Sequence, residues 1–231
     1  MFQIIWYLKH HQKYQVKQDL SEPNLTGFNF SEYDWTKLYP GVNEEIPEYT
    51  PKPIMNEVMI TCYVDASHGC DLIMRRSVTG ILISVNKTPI KWYSKRQNTV
   101  ESSTYGAELV TARIAVEMVM EFRHKLRMLG IKVQGPSVLL VDNEAVVKNT
   151  TLPSSTLKKK HNAIAYHKVR EAVAAGIIWV AHDRTDLNIA DILTKPLSPQ
   201  SYYQLLNWVL LSRDSSGNQG ELQLNESHAK Y

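Results

Sequence analysis

Residues 58–65 read VMITCYVD, an unbroken apolar and β-branched run that ends on an aspartate. Such a run predicts a β-strand with Asp65 at its end. Outward from it, residues 79–85 (TGILISV) and 90–94 (IKWYS) predict two further strands, and residues 86–89 between them predict a hairpin turn. The three runs together indicate an antiparallel meander.

Beyond the meander, strands and helices alternate. The pattern predicts a long helix, a short buried strand, a second helix, a strand and the start of a final helix, over residues 104–129, 138–141, 157–175, 177–181 and 189–193. Gly130 is a natural stop for the long helix. A meander followed by strand–helix alternation predicts an α/β fold with a mixed five-stranded sheet flanked by helices.

Four stretches divide the chain. Residues 1–18 carry apolar positions that predict the tail of a helix. Residues 19–56 hold five prolines, which interrupt regular elements, and predict either a linker or a packed arm. Residues 57–212 form the regular domain, and the polar residues 213–231 predict a disordered tail.

Composition limits the protein class. With 43% hydrophobic and 21% charged residues the 231-residue chain is typical of a globular protein. A net charge of +3 permits a polyanionic partner without requiring one. Two cysteines make neither a disulfide framework nor a zinc site and favour an intracellular protein, cytoplasmic or nuclear. No apolar run approaches the ~20 residues of a membrane span, so no membrane partner is expected.

Four acidic residues occupy informative positions. Asp65 and Asp142 each follow an apolar strand, Glu108 lies in the first turns of the long helix, and Asp191 lies near the start of the final helix. If the first and fourth strands are adjacent, Asp65 and Asp142 lie side by side and the two helical carboxylates can close over them. Each residue alone is equally explained as a turn former, a helix cap or a first-turn acid.

Clustered carboxylates repel one another and are costly to bury unless a cation neutralises them. Oxygen ligands without cysteine select Mg²⁺ or Mn²⁺ rather than zinc. Two such ions would activate a water molecule and stabilise the leaving oxygen of a phosphodiester. The combination therefore predicts metal-assisted phosphodiester hydrolysis.

Several short motifs carry a family resemblance. They are YVDAS (63–67), RRSVTG (75–80), IKWYSKRQ (90–97), VDN (141–143), the segment from KH to YH (160–167) and ADILTKPL (190–197). In this order they resemble the ribonuclease H region of copia-type retrotransposon polyproteins, over about residues 57–210. WYLK (6–9) is similar to the last helix of the reverse transcriptase of that family.

The resemblance implies a metal-dependent endonuclease that cleaves the RNA strand of RNA–DNA hybrids. It implies that Asp65, Glu108, Asp142 and Asp191 are the catalytic, metal-binding residues. The expected partners are an RNA–DNA hybrid and a reverse transcriptase domain supplied upstream or in trans. The sequence departs from the family pattern at Gly106, where the common form has glutamate, and in the segment after His161, which lacks the usual acidic residue.

Secondary candidates flank these carboxylates. Cellular ribonucleases H have a histidine in the equivalent loop, so the resemblance implies that His182, which follows the last strand, assists proton movement or product release. The alternative is a surface histidine at a strand end. Candidate nucleic-acid contacts are Ser67, Asn143, Lys95, Arg96, Lys158, Lys159, Lys160 and His161. A merely solvated basic face explains the lysines equally well. Trp92 lies in a predicted strand and is expected in the core.

Two other functions compete with the nuclease. A catalytically inert fragment or connection module would bind nucleic acid or a reverse transcriptase without cutting. Four intact carboxylates favour the active nuclease over this alternative. An integrase or transposase of the same fold superfamily is disfavoured, because Glu108 lies on a helix between the third and fourth strands.

Overall fold

The computed structural model describes residues 13–30, 32–71, 73–213 and 219–220. Within these ranges the strands are β1 (Tyr14–Val16), β2 (Ile60–Ser67), β3 (Val78–Val85), β4 (Thr88–Arg96), β5 (Ser137–Val141), β6 (Ile178–His182), β7 (Leu210–Arg213) and β8 (Gln219–Gly220). The α-helices are α1 (Thr104–Met128), α2 (Glu144–Thr151), α3 (Ala163–Ala174) and α4 (Pro199–Leu206), with 3₁₀ turns at Lys160–Asn162 and Ile189–Leu193. None of these helices is long and apolar enough to cross a membrane.

Five strands form the central sheet in the order β4-β3-β2-β5-β6. β2, β3 and β4 are antiparallel neighbours, whereas β2, β5 and β6 run parallel. β5 is buried at every position, as expected for an apolar strand covered on both faces of the sheet. The predicted mixed five-stranded sheet with its three-strand meander is confirmed.

Helix α1 covers one face of the sheet. Ser103 caps its N-terminus by accepting a hydrogen bond from the Gly106 backbone N–H. The helix ends before Gly130, whose φ of 74° is a left-handed conformation that favours glycine. Its inward side chains join the largest apolar cluster together with β2 and β3: Leu109, Ala112, Val116, Val119, Ile60, Val64, Ile81 and Ile83.

The prediction of one helix between β5 and β6 is wrong, because two helices lie there. Asn143 begins α2 by accepting hydrogen bonds from two backbone N–H groups of its first turn. This short helix stops at Thr151, since residue 152 precedes Pro153 and is steered away from helical geometry. The predicted helix over residues 157–175 starts only at Ala163, after a 3₁₀ turn.

The last predicted helix also differs from the structure. Residues 189–193 form a 3₁₀ turn, and α4 starts later, at Pro199. Pro196 lacks the backbone N–H that a continuing helix would need. The turn is therefore short, and this shapes the site described below.

The N-terminal prediction fails where it can be checked. Residues 1–12 lie outside the described residues, but Tyr14–Val16 form a strand rather than the end of a helix. β1 pairs antiparallel with β7, which pairs in turn with β8. The predicted tail over residues 213–231 lies outside the described residues, apart from Arg213 and Gln219–Gly220, which are paired strands.

The proline-rich segment 19–56 is a packed arm. It starts beside the β3–β4 hairpin, where the Thr88 hydroxyl bonds both the backbone N–H and the carbonyl oxygen of Asp19, each at 2.9 Å. It then crosses the sheet face opposite α1, where Phe30 stacks on Trp179 with ring centroids 5.1 Å apart. Phe28 and Phe30 cover the apolar side chains of β5 there.

Farther along, the arm reaches the helical side. Trp35 is buried, and the Arg170 guanidinium of α3 lies 4.7 Å from the centre of its ring. Glu44 pairs with Arg123 and Arg127 near the C-terminal end of α1. The arm thus contacts both faces of the domain.

Trp92 corrects another prediction, because it is 59% exposed rather than in the core. It lies on β4, the edge strand of the sheet, opposite Leu82 of β3. Tyr93 points the other way and packs against the main core cluster. Strand periodicity alone does not tell which face of an edge strand is covered.

Candidate metal centre

Strand register places the first two carboxylates together. β2 and β5 are parallel, and Val64 lies opposite Val141. The residues that come next, Asp65 within β2 and Asp142 directly after β5, therefore emerge at the same edge of the sheet. Asp65 lies within β2, two residues before its end, and is 2% exposed, whereas Asp142 is only partly buried.

The 3₁₀ turn brings in the third carboxylate, Asp191. The turn is fastened by the buried Asn188, whose side-chain N–H donates to the Val64 carbonyl at 2.8 Å. The Asn188 side-chain oxygen accepts from the Ala190 backbone N–H at 3.1 Å. One amide thus joins the turn to the strand that carries Asp65.

A glycine on β3 allows the turn to approach the sheet. Gly80 lies opposite Asp65 in the β2–β3 pairing. A Cβ atom at Gly80 would overlap the Thr194 methyl group and would lie 2.9 Å from the Ala190 carbonyl oxygen. The absence of a side chain at this position is therefore required for the observed placement of Asp191.

The resulting cluster contains Asp65, Asp142 and Asp191. One carboxylate oxygen from each lies within 4.8 Å of the other two. These residues are far apart in sequence and come from a strand, a strand end and a 3₁₀ turn. Tertiary folding therefore builds the cluster.

Glu108 lies beside this group without belonging to it. It is 5% exposed in the second turn of α1, and its Oε1 accepts from the Ala66 backbone N–H at 3.0 Å. Its Oε2 is buried without a hydrogen-bond partner among the described residues. Burial, followed by the negative charges of Asp142 and Asp65, raises the pKa of the Glu108 carboxyl well above its ordinary value.

Asp142 and Asp191 also resist ionisation. Burial raises the pKa of Asp142, and the Asp65 carboxylate adds to the rise. Burial raises the pKa of Asp191 to about 6, partly opposed by a hydrogen bond from Lys195 and reinforced by Asp65. A bound cation would relieve this repulsion.

Lys195 and Thr194 are site residues that the sequence analysis missed. The Lys195 Nζ lies 2.9 Å from Asp191 Oδ1 and 3.6 Å from Asp65 Oδ1. The Thr194 hydroxyl donates a hydrogen bond to the other oxygen of Asp65. Both residues belong to the ADILTKPL motif, so the motif could have identified them as site residues. Composition alone, however, gives no role to an isolated lysine.

The donor set fits a divalent metal ion. All four acidic side chains offer hard oxygen atoms, which Mg²⁺ and Mn²⁺ prefer. Glu108 Oε2 is buried without a partner in the part of the chain that the structure describes, and a cation or a water molecule bound to it would satisfy this atom. The residues that would hold such an ion are Asp65, Asp142 and Asp191, with Glu108 next to them.

His182 lies at the edge of this centre. It is exposed at the end of β6, and its Nε2 is 3.1 Å from the backbone carbonyl oxygen of Asp142. The neighbouring Asp183 is a buried carboxylate that the sequence analysis did not single out. Burial raises the pKa of Asp183.

The predicted nucleic-acid contacts fall into separate groups. Lys159 donates to the hydroxyls of Ser102 and Ser103, each at 3.1 Å, at the N-terminus of the helix that carries Glu108. The His161 ring lies 3.5 Å from the Glu101 carboxylate. Lys158 and Lys160 are exposed next to them.

The remaining candidates have local roles. Arg96 pairs with Asp71 at 2.8 Å, and Lys95 beside it is exposed. Asn143 is engaged as the cap of α2. Ser67 ends β2, two residues beyond Asp65. Of these four, Ser67 and Asn143 adjoin the carboxylates along the chain, and Lys95 and Arg96 belong to the edge strand.

Sequence comparison identifies relatives. No protein-family model matches the chain. It is 30% identical over 158 residues to the retrovirus-related Pol polyprotein of transposon RE1 from Arabidopsis thaliana, which covers 68% of this chain and 11% of that polyprotein. The polyprotein of transposon RE2 from the same plant is 32% identical over 143 residues, which are 62% of this chain and 10% of that polyprotein. The polyprotein of transposon TNT 1-94 from Nicotiana tabacum is 30% identical over 143 residues, which are 62% of this chain and 11% of that polyprotein. The chain thus spans about a tenth of the length of these relatives.

Comparison with solved structures returns ribonucleases H. The ribonuclease H1 LC11 in complex with an RNA/DNA hybrid is 18% identical, with a TM-score of 0.47, covering 58% of this chain and 93% of that one. The N-terminal ribonuclease H domain of a Mycobacterium tuberculosis protein is 12% identical with a TM-score of 0.45, covering 64% and 96%. The central sheet is the mixed five-stranded sheet expected from the sequence, and the chain is homologous to one segment of the Pol polyproteins of copia-type transposons.

Proposed function

We propose that this chain cleaves the RNA strand of RNA–DNA hybrids as part of a retrotransposon, using Mg²⁺ or Mn²⁺ ions held by Asp65, Asp142, Asp191 and Glu108. One observation carries the proposal. Three carboxylates from three separate elements converge within 4.8 Å, next to a fourth that is buried and has one oxygen without a partner within the described ranges. Burying like charges this closely is unfavourable without a cation, so the arrangement favours metal binding over a structural role.

The residues around the metal site position the carboxylates and exchange protons. When bound, the metal ions would supply an activated water molecule and neutralise the charge that develops on the phosphate. Asn188 holds the Asp191 turn against β2, and Gly80 on β3 leaves the room that the turn needs. The Ala66 backbone N–H orients Glu108. His182 is exposed beside Asp142, where an imidazole can exchange protons with solvent.

Basic residues support a nucleic-acid substrate. Lys159 lies at the N-terminus of α1, the helix that carries Glu108 one turn farther on. Exposed Lys158 and Lys160 extend the positive charge from this point. Contacts to phosphates supply most non-specific affinity for nucleic acids. Homology to Pol polyproteins favours a hybrid, because reverse transcription produces one.

The test is cleavage of a labelled RNA–DNA hybrid by the full chain in Mg²⁺ or Mn²⁺. Asp142→Asn keeps the size of the side chain but removes its charge, and we expect it to abolish cleavage. Asp186→Asn is the matched control, since Asp186 is an exposed partner of Arg184. Cutting of the RNA strand alone, stopped by chelator and by Asp142→Asn but not by Asp186→Asn, supports the proposal.

Other outcomes decide against it. If the folded wild-type chain leaves the hybrid intact, the catalytic proposal fails for this chain. Binding of the hybrid without cleavage would then support the inert binding module. Equal loss of cleavage in both variants would show that the cluster around Asp142 has no special role.

A further inference from the structure

We infer that Lys195 is a positioning residue that acts as a tethered counter-ion: its ammonium holds Asp65 and Asp191 together before a divalent ion binds, and it competes with that ion. This inference rests on the proposed function, since it assumes that a divalent ion enters the cluster. It assigns a role to a residue that carries no carboxylate.

The contacts of Lys195 are those of a bridging cation. Its Nζ reaches one oxygen of Asp191 at 2.9 Å and one oxygen of Asp65 at 3.6 Å. Asp191 and Lys195 lie four residues apart on one segment, so the ammonium is tied to the turn that it stabilises. Burial tends to lower the pKa of Lys195, but Asp191 and Asp65 outweigh it and raise the pKa.

Charge balance gives this contact its importance. Within the described ranges, Lys195 is the cation in ion-pair contact with Asp65 or Asp191. Arg184, seven residues before Asp191 in the sequence, pairs with the exposed Asp186 at 2.7 Å. In the described part of the chain, Asp65 and Asp191 therefore depend on this one lysine for neutralisation by direct ion pairing.

The same geometry makes Lys195 a competitor. The ammonium already contacts oxygens of two of the three clustered aspartates. An ammonium and a divalent cation repel each other at such distances, so metal binding requires the lysine to withdraw. Its side chain is 33% exposed and flexible, which leaves a path toward solvent.

Two opposite effects of one substitution follow. Lys195→Met removes the charge while keeping a long side chain, so the metal-free protein should lose stability. The same change removes the competitor, so divalent ions should bind more tightly, by about tenfold or more. A purely structural lysine would produce the first effect without the second.

The experiment uses the full chain and two readouts other than cleavage: thermal unfolding in chelator, and Mn²⁺ binding by isothermal titration calorimetry. Lys195→Arg retains the charge and should keep a wild-type Mn²⁺ affinity. Lys148→Met is the matched control, because Lys148 forms an exposed pair with Glu144. It should change neither readout.

The outcomes separate this inference from the proposed function. Lower metal-free melting temperature with tighter Mn²⁺ binding in Lys195→Met supports the inference. Unchanged or weaker Mn²⁺ binding in Lys195→Met, with normal binding in wild type, overturns the counter-ion role and leaves the proposed function standing. If wild type binds no Mn²⁺ and Asp142→Asn makes no difference, the metal centre itself is refuted and the inference falls with it.

Discussion

Replacing Glu44 by glutamine tests how firmly the arm is fastened to the domain. Its Oε1 accepts from Arg123 Nε at 2.7 Å and from an Arg127 N–H at 2.6 Å, and its Oε2 accepts from each guanidinium at 2.7 Å. Burial pushes the pKa of Glu44 upward, but the hydrogen bonds and charges of the two arginines outweigh it and lower the pKa from 4.5 to about 2. The carboxylate is therefore held in its charged form.

The pKa shift sets the size of the effect. A difference of about 2.5 units corresponds to at most ~3.4 kcal/mol, at ~1.36 kcal/mol per unit. The Glu44 side chain keeps 19% of its surface exposed, and solvent screening lowers the expected contribution to about 2 kcal/mol. At ~2–4 °C per kcal/mol for a chain of this size, Glu44→Gln should lower the melting temperature by roughly 4–8 °C.

The lowered pKa of Glu44 determines how its contribution to stability changes with pH. A carboxyl whose pKa is lowered on folding stabilises the folded state fully above its unfolded value of 4.5. This contribution is lost as the pH falls from there through about 2. Urea denaturation should therefore show the full difference between wild type and Glu44→Gln at pH 7 and a shrinking difference below pH 4.5.

The adjacent exposed Glu45 supplies the control, as Glu45→Gln should stay within about 0.5 kcal/mol of wild type. If Glu44→Gln also stays within that margin at pH 7, the ion-pair reasoning is refuted. A loss of stability that does not vary with pH would assign the effect to packing.

Two further predictions concern the Asp191 turn. Gly80→Ala should reduce cleavage at least ~10-fold with little change in circular dichroism, because its Cβ would overlap Thr194 and displace the turn. Gly27→Ala, where a Cβ meets nothing within 4 Å, should be neutral, and equal activity of the two variants would contradict the argument. Asn188→Ala should cost about 1–3 kcal/mol in urea denaturation, because the buried Val64 carbonyl loses its donor, and an unchanged midpoint would exclude that role.

The sequence predicts the sheet well because strand signals are local. Alternating or continuous apolar runs identify all five strands of the central sheet, and the aspartates that follow two of them fall where parallel neighbours end. The register between β2 and β5 depends on residues far apart in the sequence. It can still be inferred once the first and fourth strands are taken as adjacent. The pairing of Val64 with Val141 then brings Asp65 and Asp142 together.

Other features depend on contacts that leave no periodic signal. The arm has no repeat, so its packing through Trp35 and Glu44 is visible only in three dimensions. Helix α2 is eight residues long, too short for a clear helical pattern. Lys195 looks like any surface lysine until the turn folds back and places it against Asp65.

Gly106, where the sequence departs from the family pattern, lies where a side chain would not fit without a shift of its neighbours. A Cβ at this position would lie 2.6 Å from Glu101 Oε2 and 3.4 Å from the side-chain nitrogen of Asn162. The buried Glu101 carboxylate thus occupies the space beside the helix start. Glycine leaves room for this carboxylate, although its loss of backbone freedom costs ~1 kcal/mol inside a helix.

The packed arm also determines how far residues 19–56 can extend from the domain. Thr88 holds residue 19 at the β3–β4 hairpin, and Trp35 and Glu44 hold the rest of the arm, so the start of the arm stays at a fixed distance from the carboxylates while all these contacts persist. Pulled straight, residues 19–56 could span roughly 130 Å. If those contacts were released, the arm would change from a short, rigid spacer into a long, flexible linker. The distance that the arm spans is therefore controlled by its packing rather than by its number of residues.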